Sequence, residues 1–487
     1  MPYASGALAY HRRTMGIRVT WKWGAAAVIA AALLWSTGSG GHLRAQARQP
    51  AALVITGGTV VTMDDARRVL EPGAVAIAGS DIVGVGTPAD IAARFSATET
   101  IEATGQVVLP GLINTHTHAP MVLYRGLGND LNLQDWLTKY IFPAEAKTVS
   151  PEFVRAGTRL ATLEMILGGT TTFVDMYYFE EEVAEATRDA GLRGVLGQTL
   201  IQFPVADAKT PEDGLARTRT FVARFKGDTL ITPAVAPHSM YTLSAQTLQA
   251  ADRLAREQHV PLVIHLEETK KEREDSVKAH GASPTAYLAK LGLLGPHVIG
   301  AHGVWLGPDD IGLIAGAHAA ISHNPESNMK LASGVAPIGA YVAAGVAIGL
   351  GTDGAASNND LDMFEAMRQA AFLQKVTSGD PTAAPATLVL EMATRRGAAA
   401  IGMGDRLGQL TPGRRADVIV VDTRAPHLQP MFDPIAQLVY AAKGSDVRTT
   451  IVNGRVLMHD RVVKTLQAPA VLADARRMAE RVRAAVQ

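Results

Sequence analysis

Hydrophobic positions in residues 110–408 fall into short β-rich runs separated by longer amphipathic segments. Pro151 to Leu167, Glu180 to Ala190 and Gln246 to Glu257 repeat apolar residues at helical spacing. The β-rich runs span residues 107–115, 172–176, 193–200, 231–238, 261–266, 298–304, 319–324 and 346–352. Eight strand–helix repeats over about 300 residues predict an α/β fold, namely a (β/α)8 TIM-like barrel over residues 110–408.

The segments on either side of this region have an all-β pattern. Residues 52–63 are β-branched and punctuated by glycine, and residues 415–422 and 447–457 return to the same pattern. We therefore predict that both chain ends, residues 48–109 and 409–487, form one small β-sandwich domain, with a helix at the carboxyl terminus.

The first 47 residues have the composition of an export signal. Arginine and lysine residues precede the apolar run Gly24 to Trp35, and small and polar residues then end in Ala45-Gln46-Ala47, an A-x-A cleavage pattern. An apolar run of this length is short for a membrane span, which needs about 20 residues. We predict a cleavable signal peptide over residues 1–47 and a periplasmic or secreted protein. An uncleaved anchor is the alternative, and the Sec and twin-arginine routes both stay open.

Composition removes several classes of chemistry. The chain has no cysteine, which excludes disulfides, thiolate nucleophiles and Cys-ligated metals. Its 46 basic and 46 acidic residues balance, so charge gives no support to nucleic acid or an anionic membrane surface as a partner. We expect a small-molecule substrate and no stable membrane partner after signal cleavage. The oligomeric state stays open, with a homo-oligomer among the alternatives.

Polar residues typical of metal sites stand at the ends of five predicted strands. They are His116 and His118 after the first strand, His265 after the fifth, His302 after the sixth, His323 after the seventh and Asp353 after the eighth. Residues i and i+2 of a strand point to the same face, and catalytic groups of such barrels gather at the carboxyl ends of the strands. The sequence therefore predicts a metal site at one mouth of the barrel.

Imidazole ligands together with a carboxylate suit Zn²⁺, with Fe²⁺ or Mn²⁺ as alternatives. Such an ion lowers the pKa of water that it binds to about 7, which makes hydroxide available at neutral pH. The fourth strand ends Ala236-Pro237-His238 and offers no lysine or glutamate to bridge a second ion, so we predict one divalent metal.

Several motifs resemble those of the amidohydrolase superfamily. Pro110 to His118 resembles its opening signature, and the likeness covers about residues 52 to 465. The other motifs are Asp135-Trp136-Leu137, Asp175-Met176-Tyr177, Pro237-His238-Ser239, His265 to Thr269, Ser322 to Pro325, Gly351 to Asn359 and Gly413 to Asp417. Within the superfamily the sequence is most similar to the S-adenosylhomocysteine/5′-methylthioadenosine deaminases, with the chlorotriazine hydrolases as close relatives.

This resemblance implies roles for particular residues. His116, His118, His265 and Asp353 would bind the metal. Glu268 would be the general acid/base that moves a proton from the attacking water to a ring nitrogen. His302 would hydrogen-bond the attacking oxygen, and Asp353 would also accept a proton as ammonia leaves.

The same resemblance implies a substrate pocket. Trp136 would pack beside the base, His238 would line the pocket and Glu145 would accept hydrogen bonds from sugar hydroxyls. Where these deaminases commonly have Thr-Arg at the end of the third strand, this chain has Gln198-Thr199. The absent charge at Gln198 argues against recognition of a carboxylated or thioether tail, though not against the hydrolytic chemistry.

Three functions remain in view at this point. The first is a metal-dependent hydrolytic deaminase of an aminopurine nucleoside or related N-heterocycle. The second is a hydrolase of another C–N or C–Cl bond, in a triazine, pterin or cyclic amide. The third, a non-enzyme, is an exported metal- or nucleoside-binding protein, and Glu268 and His302 argue against it because binding alone needs neither.

Overall fold

The computed structural model describes residues 48–486, so the predicted signal peptide lies outside the described residues. Five strands come first in the chain, with one short helix among them, α1 (Pro88–Arg94). The strands are β1 (Gln49–Val61), β2 (Val69–Ala78), β3 (Asp81–Gly86), β4 (Phe95–Glu102) and β5 (Gln106–Pro110).

Eight parallel strands then close into a barrel within the described chain. They are β6 (Leu112–Thr117), β7 (Thr170–Tyr177), β8 (Arg193–Leu200), β9 (Ile231–Pro237), β10 (Leu262–Leu266), β11 (Val298–His302), β12 (Ala320–His323) and β13 (Ala347–Leu350). The pair Leu350 and Asn114 joins the last strand to the first. The predicted (β/α)8 barrel is confirmed.

Helices follow the barrel strands. The first half of the barrel carries α2 (Leu133–Trp136), α3 (Phe142–Thr148), α4 (Pro151–Gly168), α5 (Glu180–Ala190), α6 (Pro211–Phe225) and α7 (Ala245–Gln258). The second half carries α8 (Lys270–His280), α9 (Pro284–Lys290), α10 (Pro308–Gly316), α11 (Pro325–Lys330), α12 (Ile338–Ala343), α13 (Met363–Ser378), α14 (Ala386–Met392) and α15 (Arg395–Ala400). Among the residues that the structure describes, no helix is long and apolar enough to cross a membrane.

The chain returns to the first sheet after the barrel. The last elements are β14 (Val418–Asp422), α16 (Pro434–Tyr440), β15 (Val447–Val452), β16 (Arg455–His459), β17 (Val462–Val463) and α17 (Ala468–Val486). Within residues 48–486 the strands from both chain ends form one mixed sheet of nine, in the order β17-β16-β15-β14-β5-β1-β2-β3, and β4 also pairs with β1. The predicted small β domain from both ends is thus continuous across β5 and β14.

The apolar run 107–115, predicted as one strand, divides between the two sheets. Its first part pairs with β14, where Pro110 lies opposite Val418, and its second part opens the barrel. Gly111 stands between the parts, and a Cβ there would lie 2.2 Å from the Thr171 side chain. Glycine therefore permits the close approach at which the chain passes from one sheet to the other.

A buried ion pair ties the small sheet to the barrel. Arg193, at the start of β8, donates from Nε and Nη2 to the two carboxylate oxygens of Asp417, at 3.1 and 3.2 Å. The Asp417 carbonyl accepts from the Gly111 amide, and its carboxylate also accepts from the Asn453 amide at 2.7 Å. The junction is therefore held by directional contacts with both partners buried.

Candidate metal and catalytic site

Two histidines come from the first barrel strand. His116 lies in β6, follows the alternation of the strand and is fully buried, and His118 begins the next turn. The ring centroids of the two lie 4.9 Å apart. His118 Nδ1 donates to the Met176 carbonyl at 2.7 Å, which leaves Nε2 of His118 as the nitrogen with a free lone pair.

His265 approaches the same point from β10 across the barrel. Its Nδ1 donates to the His238 carbonyl at 2.8 Å, and its Nε2 lies 3.2 Å from His118 Nε2. The lone pairs of these two nitrogens repel each other at this distance, but a cation between them could be bound by both. Backbone carbonyls thus orient both rings toward one centre.

Asp353 completes this group from the segment after β13. Its Oδ1 lies 3.5 Å from His116 Nε2 and 3.4 Å from His118 Nε2. The residue has φ +63°, a left-handed conformation that is costly for a side chain other than glycine. Burial raises the pKa of Asp353, and the neighbouring imidazoles outweigh that effect and hold the pKa below its ordinary value.

The four side chains fit a divalent metal by their donor chemistry. Ligand atoms of His116, His118 and His265 lie within 4.8 Å of one another, and those of His116, His302 and Asp353 do so as well. Both ring nitrogens of His116 are buried without a hydrogen-bond partner among the described residues. Burial lowers the pKa of His116 and of His265, so the rings are neutral, as metal ligands must be.

Glu268 lies beside this centre on the turn after β10. Its carboxylate is buried, with Oε2 3.7 Å from His302 Nε2 and Oε1 accepting from Ser333 Oγ at 3.3 Å. Burial raises the pKa of Glu268, which brings the carboxyl closer to the range in which it exchanges protons at neutral pH.

His302 is held in a left-handed conformation at the end of β11, with φ +77°. Its Nδ1 donates to Asn328 Oδ1 at 2.9 Å, so Nε2 faces Glu268 and also lies 4.0 Å from Asp353 Oδ2. Burial lowers the pKa of His302, but the carboxylates of Glu268 and Asp353 raise it above its ordinary value overall. This ring is therefore a hydrogen-bond donor toward the centre.

A cavity opens above the group, and three of the predicted substrate contacts line it. They are Trp136, Glu145 and His238, and the wall continues through Met121, Tyr177, Thr199, Tyr241 and Leu331. Trp136 Nε1 donates to the Leu127 carbonyl, which leaves the indole face for packing. Tyr177 donates its hydroxyl to Glu145 Oε1 at 2.7 Å, and burial raises the pKa of Glu145 to about 7.

Gln198 does not join this group. Its side chain donates to Asp207 Oδ2 at 2.8 Å and accepts from the Glu180 amide, while Thr199 lines the cavity. Successive side chains of a strand point to opposite faces, so the two neighbours in β8 face different surroundings. His323 is also outside the ligand group: it is buried at the end of β12, with both ring nitrogens unpaired within the described part of the chain.

The sequence interpretation missed two residues that contact Glu268 or its backbone. Ser333 contacts Glu268, and the Glu272 carboxylate accepts the backbone N–H groups of Glu267 at 3.1 Å and Glu268 at 2.9 Å. A local signal existed for Glu272, because Thr269-x-x-Glu272 is a helix capping pattern and Thr269 does cap α8. The capping pattern does not predict, however, that the Glu272 carboxylate accepts the N–H groups of Glu267 and Glu268, which precede the capping residue.

The family model described as Amidohydrolase family matches residues 107–457. The chain belongs to the amidohydrolase family. The predicted resemblance is confirmed, and the protein is therefore a hydrolase of a metal-dependent family that acts on carbon–nitrogen bonds.

Curated relatives extend over nearly the whole described chain. The 5-methylthioadenosine/S-adenosylhomocysteine deaminase of Syntrophobacter fumaroxidans is 48% identical over 433 residues, which cover 89% of this chain and 99% of the relative. The 5-methylthioadenosine/S-adenosylhomocysteine deaminase 1 of Syntrophus aciditrophicus is 46% identical over 430 residues, which cover 88% of this chain and 97% of the relative.

Solved structures share the fold. An adenosine deaminase from Xanthomonas campestris with bound zinc superposes with a TM-score of 0.88 at 39% identity, covering 90% of this chain and 100% of that one. An atrazine chlorohydrolase from Arthrobacter aurescens, complexed with zinc, gives a TM-score of 0.82 at 26% identity, covering 88% and 100%.

Proposed function

We propose that this amidohydrolase is a metal-dependent deaminase that replaces the exocyclic amino group of an aminopurine nucleoside with oxygen and releases ammonia. The observation that carries the proposal is the placement of Glu268 and His302 beside a group of histidine and aspartate side chains that could hold a metal ion, at one cavity. Relatives of 48% and 46% identity that are named as deaminases of 5-methylthioadenosine and S-adenosylhomocysteine support it.

We assign the metal ligands as His116, His118, His265 and Asp353. Zn²⁺ is the favoured ion, supported by the zinc in the adenosine deaminase neighbour, with Fe²⁺ and Mn²⁺ as alternatives. A divalent ion in this ligand set supplies Lewis acidity that makes water nucleophilic at neutral pH.

The proton transfers belong to the chain's own carboxylates. Glu268 takes a proton from the attacking water and delivers it to the adjacent ring nitrogen, which makes the ring carbon more electrophilic. His302 donates from Nε2 to the oxygen that gains charge in this step. Asp353 accepts the second proton of that water and passes it to the amino group, which then leaves as ammonia. A positioned acid/base group of this kind is typically worth about 10²–10⁴ in rate.

The cavity walls favour a neutral nucleoside. Trp136 packs against the base, Glu145 accepts hydrogen bonds from the ribose hydroxyls and His238 lines the pocket beside them. Among the described residues that line the cavity, none is lysine or arginine, and Gln198 turns toward Asp207 instead. We therefore propose adenosine or 5′-methylthioadenosine as substrate, with S-adenosylhomocysteine poorer because its carboxylate would have no cationic partner.

The direct test is deamination by the purified, zinc-loaded protein. Loss of adenine absorbance and release of ammonia should follow addition of adenosine or 5′-methylthioadenosine, with lower kcat/KM for S-adenosylhomocysteine. Glu268→Gln should retain its metal and lose at least about 10²-fold in kcat, because an amide cannot carry the proton. Turnover of a triazine or a pterin without turnover of any 6-aminopurine nucleoside would assign the protein to the alternative C–Cl or C–N hydrolases.

A further inference from the structure

A second group of acidic side chains lies on three segments after β12 and β13. Glu326 belongs to α11, Asp360 to the segment between β13 and α13, and Glu365 to the first turn of α13. One carboxylate oxygen from each lies within 4.8 Å of those of the other two. This acidic cluster shares no residue with the proposed catalytic group.

Glu326 is the unusual member of the acidic cluster. Its side chain is 8% exposed, and its Oε2 accepts from Asn358 Nδ2 at 2.9 Å. Its Oε1 has no hydrogen-bond partner within residues 48–486. A buried carboxylate oxygen without a donor costs free energy, and two further carboxylates alongside add repulsion.

Ordinary cationic side chains do not neutralise this charge. In the described chain, none of the three carboxylates forms an ion pair with lysine, arginine or histidine. Lys330, one turn after Glu326, donates instead to the Ala356 carbonyl and to Asn359 Oδ1. The pKa of Glu326 is raised to about 9, first by burial and then by Asp360 and Glu365, so the cluster lacks a compensating positive charge.

We propose that Glu326, Asp360 and Glu365 bind a hard divalent cation, Mg²⁺ or Ca²⁺, at a site separate from the catalytic metal. Carboxylate oxygens are the ligands that these ions prefer, whereas the histidine-rich catalytic group suits Zn²⁺. The free Oε1 of Glu326 supplies a buried ligand, and the half-buried Asp360 and Glu365 leave the ion able to keep water ligands.

A cation at this site would stabilise the position of the segment that follows β13. Asn358 donates both to Glu326 Oε2 and to the Thr352 carbonyl, at 2.9 and 3.0 Å, and Thr352 precedes Asp353. A cation at the acidic cluster therefore joins α11 and α13 to the segment that carries Asp353. The alternative occupant of the cluster is a proton on Glu326.

The experiment is a cation titration of the full protein already loaded with zinc. MgCl₂ and CaCl₂ are added in separate titrations to zinc-loaded protein from which Mg²⁺ and Ca²⁺ have been removed. Thermal unfolding and the heat of binding are measured in each. We expect one saturable binding event and a rise in Tm of about 3 °C at saturation, since a ligand that binds only the folded state stabilises it. The arm that saturates at lower concentration identifies the preferred ion.

Variants assign the event to the acidic cluster. Glu326→Gln and Glu365→Gln should each abolish the binding heat and the rise in Tm while retaining about one zinc. The control Glu99→Gln, at an exposed position of β4, should keep both responses. Glu365 is half-buried, so Glu365→Gln decides the outcome if Glu326→Gln does not fold. A wild-type protein without a saturable response, or a response that survives in Glu365→Gln, would overturn the proposal in favour of a protonated Glu326.

Discussion

One buried side chain accepts two successive backbone N–H groups of the turn that carries Glu268. Glu272, 8% exposed, accepts the N–H groups of Glu267 and Glu268 with its two carboxylate oxygens. Burial raises the pKa of Glu272 to about 8, so the carboxyl is largely protonated at pH 7 and keeps a lone pair on each oxygen. Glu272→Gln then preserves shape and charge but presents an NH₂ group to one of the two N–H donors.

The size of the effect follows from that mismatch. A buried N–H left without an acceptor costs about 1–3 kcal/mol, which we expect as the loss in the free energy of unfolding. The turn relaxes to avoid the contact, and a displacement of about 1 Å in a catalytic group can cost about 10²-fold in rate. We expect kcat to fall by about 10- to 100-fold, with KM changed little because Glu272 is not among the residues that line the cavity at the proposed metal site.

The assay measures kcat, KM, zinc content and unfolding by urea for both forms. Glu274→Gln is the matched control, since Glu274 lies in the same helix and pairs with Lys270 at the surface, where such a pair is worth about 0–1 kcal/mol. Zinc content should be unchanged in both variants. Wild-type kcat in Glu272→Gln, despite the loss of stability, would refute the positioning role, and wild-type stability would refute the hydrogen-bond argument itself.

Three further predictions concern the metal, pH and export. His116→Ala should lose its zinc, measured by elemental analysis, and its activity, because three ligands hold the ion poorly. An active variant that retains a full equivalent of zinc would contradict the assignment. Burial raises the pKa of Glu145 from 4.5 to about 7, so its contribution to stability is complete below pH 4.5 and is lost as pH rises through 7, because the unfolded chain releases this proton first. Over this pH range the free energy of unfolding of the wild type, measured with denaturant, should therefore fall by roughly 3 kcal/mol relative to that of Glu145→Gln. Amino-terminal sequencing of exported protein should begin near Arg48, and a retained leader would contradict cleavage.

The proposed catalytic group could be predicted from the sequence because it follows strand periodicity. His116 and His118 are two residues apart, and His265, His302 and Asp353 stand at or just after the ends of later strands. A parallel barrel gathers the carboxyl ends of its strands at one mouth, so residues far apart in sequence are brought together by topology alone.

Other features depended on side-chain direction. Gln198 and Thr199 are neighbours at the end of β8, and only the register of the strand decides that Thr199 faces the cavity. Glu272 shows a capping pattern, yet its carboxylate bonds Glu268 because the turn after β10 brings that backbone within 2.9 Å. The run 107–115 was predicted as one strand, but the sheet pairing changes at Gly111, and the dipeptide Pro110-Gly111 was a local signal for that break.

The sequence by itself determined the barrel, the small β domain from both chain ends and the family to which the chain belongs, because periodicity and strand-end motifs are local properties. The tertiary structure decided which atoms face one another. The acidic cluster of Glu326, Asp360 and Glu365 is the clearest case, since its members come from two helices and the segment between them. Their proximity and the unpaired buried oxygen of Glu326 arise from packing between segments, which no local pattern encodes.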